Sequence, residues 1–568
     1  MTIAERQIEA STTSGAELIA STLKGYGVTH VFFMESVLRQ TLIRLEELGV
    51  RRVLAHSEAA AVYMADGYAR IARRPGVCLA QSVGAANLAA ACQDPFLGKS
   101  PVLALTGKKA PHAQHRNAYQ EIDHRLMFEA VTKFNATVET FEQLPRLLRQ
   151  ALREAMSGSP GPAHLDIAGG FAGELIETAT GVSNVIIDAP FTHYPTHRPG
   201  ADVDSIARAA RLVTAAKRPV ILAGGGARLS DAGAAIRRLA EQHAIPVATS
   251  LNAKDIIRGD HPFSVGVIGT YSRWTANRTV HEADLVILVG TQTSDQVTAN
   301  WTIPAVGTPV IQIDIDPREL GRNYPNTVSI CGDARTSIEQ LTEVLQEPVQ
   351  RQAWTEHWRA LNKAWDEAYD GPCTSDAMPI KPERLCREIT EALPENGILV
   401  SDTGYAGIWT GALVDLKHES QNYIRAAGSL GWGFPASLGA KCAAPDRPVL
   451  CFTGDGGFWY HMSELETARR CGINTVTVIN NNSGFGQCID AIHRNYGSRP
   501  GHPTDLYEFR NTDFARIAEN LGCIGMRVTD PSDLQECLSQ AFAAERPVVI
   551  DVVTDQAARA PAPWFPAN

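Results

Sequence analysis

Residues 447–487 read RPVLCFTGDGGFWYHMSELETARRCGINTVTVINNNSGFGQ, and the fold class follows from how this stretch divides. An apolar run, Val449-Leu450-Cys451-Phe452, breaks at Gly454-Asp455-Gly456-Gly457, the pattern of a buried strand ending in a glycine turn. A helix is expected next: Ser463 with Glu466 three residues on has capping-box spacing, and Gly472 stands where a C-terminal glycine belongs. Thr475 to Ile479 then reads as a second strand, running into Asn480-Asn481-Asn482. Strand, crossover helix and strand make a right-handed βαβ unit, so the two strands are parallel and their carboxyl ends share one edge. Asp455 and Asn482 sit at those ends, 27 positions apart. Strands are roughly 5 Å apart as neighbours, or about twice that with one between, so a carboxylate and an amide oxygen can reach one ion. With a backbone carbonyl such as that of Gly484 and the oxygens of a phosphorylated ligand, these hard donors suit Mg²⁺. Gly454, Gly456 and Gly457 let backbone N–H groups approach that phosphate just before a helix N-terminus.

A lone GDG is commonly no more than a turn, and a dinucleotide fingerprint is excluded because it needs glycine where Trp459 stands. The coupled pattern says more. GDG is followed by NN with 24 residues between Gly456 and Asn481, which resembles the signature of thiamine diphosphate enzymes.

At 568 residues, with 44% hydrophobic and 20% charged residues, the chain is an ordinary globular protein too long for a single core. A net charge of −10 and the lack of any basic block argue against nucleic acid or an anionic membrane as the main partner. The eleven cysteines have no CxxC spacing, the N-terminus lacks a signal-peptide pattern, and no run approaches about 18 apolar residues. A cytoplasmic protein with a short frayed leader is expected.

Upstream the chain alternates helix and strand three times over. From Ser14 to about Asp166, helices at 15–27, 37–48 and 58–72 alternate with strands at 29–33, 52–55, 77–81 and 102–106. His56-Ser57-Glu58-Ala59-Ala60-Ala61, continuing to Met64-Ala65-Asp66-Gly67-Tyr68-Ala69-Arg70, resembles the glutamate segment of acetohydroxyacid synthases. Taken alone, Glu58 is an acid in the first turn of a helix, stabilised by the dipole. The resemblance implies that it contacts the aminopyrimidine of thiamine diphosphate. A carboxyl group against ring nitrogen N1′ favours the imino tautomer that removes the thiazolium C2 proton. Ala118-Tyr119-Gln120-Glu121-Ile122-Asp123 resembles the loop that carries a glutamine beside the reacting centre, so Gln120, with Tyr119, Glu121 and His115 around it, is a substrate-side candidate.

After a linker over 180–200, strands at 219–222, 246–248, 285–289 and 310–315 give a middle doubly wound sheet. IDIDP at 313–317 and HPFSVGVIG at 261–269 match the family, whose relatives hold FAD (acetohydroxyacid synthases) or ADP (oxalyl-CoA decarboxylases) in this domain. Residues 290–296, GTQTSDQ, depart from the arginine-bearing, doubly acidic segment of the flavin-binding members, which leaves the occupant open. A second linker is expected over 346–379. Beyond it, the strand at 398–400 ends in Ser401-Asp402-Thr403-Gly404-Tyr405; the resemblance makes Gly404 and Tyr405 further diphosphate contacts. In RAAGSLGWG, residues 425–433, it makes Gly428 part of the grip on the aminopyrimidine and Leu430 the apolar wedge that bends the cofactor.

From about Ser14 to Thr554 the chain thus resembles the acetolactate synthase branch of thiamine diphosphate enzymes. The implied fold is α/β, with three doubly wound parallel-sheet domains over 14–180, 200–345 and 380–556. Two loops depart from the family pattern. Phe33-Met34-Glu35-Ser36-Val37 replaces a proline and two glycines, and Ser82-Val83-Gly84-Ala85-Ala86-Asn87 is one residue shorter than the family loop. Glu35 and Ser36 are therefore expected to face the reacting carbon in a reshaped pocket. The implied chemistry makes or breaks a C–C bond next to a carbonyl, on a 2-keto acid. The alternatives are a 2-hydroxyacyl-CoA lyase, an oxalyl-CoA-type decarboxylase, a simple decarboxylase that needs only protonation where a ligase needs an acceptor pocket, and a catalytically silent cofactor-binding protein. In this family the cofactor lies between the first domain of one subunit and the third of another, so a homodimer or homotetramer is implied.

Overall fold

The computed structural model describes residues 12–169, 178–180 and 185–566. The expected frayed leader at residues 1–11, residues 181–184 of the first linker and residues 567–568 lie outside the described residues. The described residues form three six-stranded sheets, every pairing in them parallel, and a two-stranded antiparallel ladder of Thr12–Ser14 and Thr178–Thr180. The chain divides into two compact units, Met1–Thr196 and His197–Asn568, the first holding one sheet and the second two.

Runs of Val, Ile and Leu explain why the sheets are parallel and covered. Leu285–Val289 and Pro219–Ala223 are buried at every position, as strands must be when helices cover both faces. The first sheet runs Arg51–Leu54, His30–Phe33, Gly76–Gln81, Val102–Lys109, Ala163–Gly169, Phe134–Val138. The third runs Asn422–Arg425, Ile398–Ser401, Val449–Gly454, Val476–Asn481, Val548–Val553, Ile524–Val528. Numbered along the chain within each sheet, both have the order 2-1-3-4-6-5, whereas the middle sheet has 3-2-1-4-5-6. In an open α/β sheet a ligand crevice forms beyond the carboxyl ends of the strands flanking the point where the order reverses. In the first sheet that point lies between His30–Phe33 and Gly76–Gln81, and in the third between Ile398–Ser401 and Val449–Gly454.

The helix expected over 58–72 spans Glu58–Ala72, its N-cap Ser57 accepting a hydrogen bond from the Ala60 N–H at 3.1 Å. Two expectations need correction. Ser463 does not cap a helix through its side chain: its own backbone is already helical, because the chain turns helical at Asp455–Phe458, directly off the strand. Gly472, in contrast, closes Glu464–Cys471 in the left-handed conformation at φ 64°. Nor is 346–379 simply a linker. It contains the helix Gln352–Cys373, whose buried Trp354, Trp358, Leu361 and Trp365 recur at helical spacing. Trp354 and Trp358 belong to the core of the middle sheet and Trp365 to that of the third, so one helix fastens both.

Candidate functional site

In the second unit, Val449–Gly454 and Val476–Asn481 are direct neighbours, with Gly454 opposite Asn480. Asp455 and Asn482 therefore leave the same edge of adjacent strands, which lie about 5 Å apart. Asp455 is 2% exposed, and its Oδ1 has no hydrogen-bond partner among the described residues. Asn480 Oδ1, on the neighbouring strand, is buried and unpartnered in the same way. Burial pushes the Asp455 carboxyl up to about 7, a cost that the N–H groups of Gly456 and Gly484 only partly offset. Two orphaned oxygens and a carboxylate without a cation fit a small hard dication, which would repay that desolvation and complete its shell with ligand oxygens. Asn482 is half-buried, and its amide limits position 486: a Cβ at Gly486 would stand 2.6 Å from Asn482 Nδ2.

The glycines around this edge differ in what they face. A Cβ on Gly456 would meet Phe485 Cε1 at 2.5 Å, and one on Gly457 would meet Thr453 Oγ1 at 2.9 Å. Gly454 and Gly428 have nothing within 4 Å of that position among the described residues, so a Cβ there would meet open space. Gly484 pairs with Glu508 in an isolated antiparallel bridge, and a Cβ there would collide with the Tyr507 carbonyl. Gly404 adopts φ 70°, as a tight turn into Tyr405–Leu413 requires, and Tyr405 packs edge-on to Trp409. Leu430 is half-buried in the glycine-rich turn.

Asp402 organises this region. Fully enclosed, it accepts from the N–H groups of Thr403 at 2.7 Å, Gly431 at 3.1 Å and Gly433 at 3.1 Å, and from Thr453 Oγ1 at 3.2 Å. It ties the 401–405 turn to the 428–433 turn and to the strand that delivers Asp455. Desolvation raises its carboxyl to about 6. Asp402 and Asn480 were not among the candidates read from the sequence. An acid or amide at the carboxyl end of an apolar strand is the signal that finds such residues, but only burial shows which of them lack partners.

In the first unit Glu58 stands at the N-terminus of its helix and accepts from Asn87 Nδ2 at 3.2 Å. Gly84 lies so close that a Cβ there would collide with the Glu58 carboxylate. The 82–87 segment, read from the sequence as a loop, instead turns helical at Gly84 and opens the helix Gly84–Leu97; following Gly76–Gln81 at the point of strand-order reversal, it packs directly on Glu58. Just before that helix Ser82 Oγ donates to the Gln120 carbonyl, and Gln81 Nε2, at the end of the strand, donates to Gln120 Oε1 at 3.0 Å. Among the described residues the Gln120 amide nitrogen makes no hydrogen bond, which leaves it as the donating end. Gln120 is held at φ 62°, a conformation rare outside glycine.

The other candidates on these loops are occupied or exposed within the chain. Glu121 accepts from the N–H groups of His115 at 2.6 Å and Ala118 at 3.3 Å, so its carboxylate braces the loop. Tyr119 is 72% exposed. Glu35 accepts from Arg39 Nε at 2.7 Å and Ser36 Oγ at 2.5 Å, partners that hold its carboxyl down at about 2. Ser36 itself has φ 76°.

Comparison with known proteins now decides the family. Residues 13–127 match the description "Thiamine pyrophosphate enzyme, N-terminal TPP binding domain", 206–341 the "central domain" and 402–552 the "C-terminal TPP binding domain". The chain is 32% identical over 559 residues to the "Probable acetolactate synthase large subunit" of Methanocaldococcus jannaschii, covering 96% of this chain and 93% of the relative. It is 29% identical to the "Acetolactate synthase isozyme 2 large subunit" of Escherichia coli, covering 96% of each, and 31% identical to the "Acetolactate synthase" of Arthrospira platensis, covering 95% and 94%. The chain belongs to the thiamine pyrophosphate enzymes, in their acetolactate synthase-like branch. It is accordingly a thiamine pyrophosphate-dependent enzyme of carboligase type, and the fold expected from the sequence is the family's. A silent cofactor-binding protein and the CoA-dependent lyase or decarboxylase are not favoured. Among the described residues, no helix is long and apolar enough to cross a membrane.

Proposed function

We propose that this enzyme condenses 2-keto acids: one loses CO₂, and its acyl fragment forms a new C–C bond with the carbonyl carbon of a second, one proton being taken up. The observation that carries the reading is the pair of adjacent strand ends that bear Asp455, with its unpartnered Oδ1, and Asn482. Thiamine diphosphate, when bound, supplies the electron sink that allows a bond next to a carbonyl to break and form. Asp455, Asn482 and the Gly484 carbonyl would hold Mg²⁺ against the diphosphate, with Asn480 at hand. Gly454, Gly456, Gly457, Gly404 and Tyr405 would line the diphosphate, while Gly428 and Leu430 would meet the ring system. Glu58 would hold a proton at the aminopyrimidine nitrogen, and Gln120 would donate its amide N–H to a substrate oxygen. Glu35 and Ser36, bulkier than the family's glycines, would narrow the donor pocket, with Tyr119 and Glu121 at its rim. The ranges 14–180, 200–345 and 380–556 would serve as pyrimidine, central and diphosphate domains, supported by one sheet in each. A cytoplasmic homodimer or homotetramer completes the proposal, checked by light scattering of the purified protein.

The test is catalytic. With thiamine diphosphate and Mg²⁺, the protein should release CO₂ from pyruvate or a longer 2-keto acid and yield a 2-hydroxy-3-keto acid. A chelator should abolish this, and Glu58→Gln should abolish enzyme-accelerated exchange of the thiazolium C2 proton followed by NMR. Wild-type protein that leaves that exchange at its solution rate would end the reading. Turnover of 2-hydroxyacyl-CoA with no 2-keto acid turnover would replace the substrate class.

A further inference from the structure

Beneath the first-sheet crevice lies a chain of polar side chains that the proposed chemistry does not use. His124, His164, Thr106 and Asp166 are all fully buried, and Ser82 is 6% exposed. His124 Nδ1 is 2.9 Å from Asp166 Oδ1, and His124 Nε2 is 3.2 Å from Ser82 Oγ. Thr106 Oγ1 donates to Asp166 Oδ1 at 2.8 Å and lies 2.7 Å from His164 Nε2, whose ring stacks on Phe128 at 3.6 Å and reaches Asn135 Oδ1 at 2.8 Å. The network begins at Asn135 on one edge of the sheet, crosses its strands, and ends at Ser82, which donates to the Gln120 carbonyl. Buried polar groups are costly unless satisfied, and an apolar core would be the cheaper filling for this space. Among the described residues the network reaches the switch-point edge at the Ser82–Gln120 contact, at a residue whose backbone is strained.

We infer that Ser82, His124 and Asp166 are positioning residues for Gln120: Asp166 orients the His124 ring, His124 fixes the Ser82 hydroxyl, and Ser82 holds the Gln120 peptide at its left-handed φ. This inference rests on Gln120 acting on the substrate as proposed above. Serine, histidine and aspartate are also the members of a nucleophilic array. Here the single Ser82 hydrogen is given to the Gln120 carbonyl and the side chain is buried, so no acyl substrate approaches it. The helix that follows Ser82, Gly84–Leu97, touches Glu58 through Asn87 and Gly84 in its first turn. The shortened segment Ser82-Val83-Gly84-Ala85-Ala86-Asn87 is thus braced from below by a histidine and an aspartate that lie 42 and 84 residues further along the chain.

A double-mutant cycle on the holoenzyme tests the inference. His124→Ala and Gln120→Ala should each lower kcat/KM about ten- to a hundredfold, the scale expected when a reacting group shifts by about 1 Å. In the Gln120→Ala background, His124→Ala should cost less than about twofold more, because its effect passes through a side chain already removed. His124→Gln, which keeps a donor toward Ser82, should recover part of the loss, and His124→Asn should not. If His124→Ala does not fold, Ser82→Ala, a loss of one hydroxyl, runs the same cycle. Losses that multiply, or a Gln120→Ala enzyme as active as wild type, would overturn the inference. Exchange at the thiazolium C2 of bound cofactor separates the two levels. If wild type accelerates exchange but the cycle is additive, the positioning role fails alone; if wild type accelerates nothing, the underlying reading fails.

Discussion

Two neighbouring glycines offer a sharp test of the diphosphate edge, because the structure surrounds them so differently. Gly456→Ala would push a methyl to 2.5 Å from Phe485 Cε1 and 2.8 Å from Cδ1, with Phe509 Cε2 at 3.3 Å behind. Phe485 is itself packed edge-on against Phe509 at 4.9 Å, so it cannot simply swing away. Overpacking of this kind costs about 1–3 kcal/mol, or several degrees of melting temperature at roughly 2–4 °C per kcal/mol. Gly454→Ala meets nothing within 4 Å, and its φ of −81° suits any residue, so the apoprotein should melt within about 1 °C of wild type. If the Gly454 backbone instead contacts a bound diphosphate, the added methyl stands where phosphate oxygen belongs. A ligand at a hundred times its Kd stabilises by about 2.7 kcal/mol, and a tenfold loss of affinity removes about 1.4 kcal/mol of that. Differential scanning fluorimetry with and without thiamine diphosphate and Mg²⁺ reads both effects. Gly456→Ala should lower the apo transition, whereas Gly454→Ala should lose at least half the cofactor-induced shift and nothing else. A Gly454→Ala protein with the full wild-type shift would show that the diphosphate does not lie there.

Three further outcomes are expected. Asp455→Asn should abolish the Mg²⁺-dependent part of the thermal shift by thiamine diphosphate while leaving the apo transition no lower than wild type, since a buried carboxyl only partly offset by backbone N–H groups is removed; a normal shift would exclude Asp455 as a cation ligand. His30, buried beside Arg51, has its imidazole pushed down to about 4, so the folded state prefers the neutral ring. The resulting stability is present above about 6.5 and lost as pH falls toward 4, up to about 3 kcal/mol, and His30→Gln should flatten the melting-temperature profile over that window. Freshly purified protein should show no flavin absorbance, because residues 290–296 carry no arginine; a stoichiometric flavin spectrum would assign the middle crevice to FAD.

The sequence made the strand-turn-helix-strand plan of 449–482 legible because hydrophobic runs and glycine punctuation are local signals. The same holds for Glu58–Ala72, bounded by a serine cap at one end and an alanine-rich face along its length. Ser463 misled because its spacing to Glu466 is right but the backbone had already turned helical at Asp455, which leaves no orphan N–H for the serine to cap. The helix Gln352–Cys373 was hidden by its charged residues, although Trp354, Trp358, Leu361 and Trp365 mark one face. Asn480 and Asp402 matter through desolvation, which no spacing reveals. The His124–Asp166 contact depends on strand order: the strand bearing Asp166 inserts between Val102–Lys109 and Phe134–Val138, which no local pattern specifies.

The tryptophan-bearing helix Gln352–Cys373 also has a mechanical meaning. With Trp354 donating its indole N–H to the Pro219 carbonyl and Trp365 seated in the other core, it acts as a shared beam between two frames. Cutting the gene on either side of that beam would strip one frame of its flank and expose tryptophan to water. Anyone wishing to transplant the middle sheet into another scaffold, or to express it alone, must therefore move the beam with it or furnish a replacement.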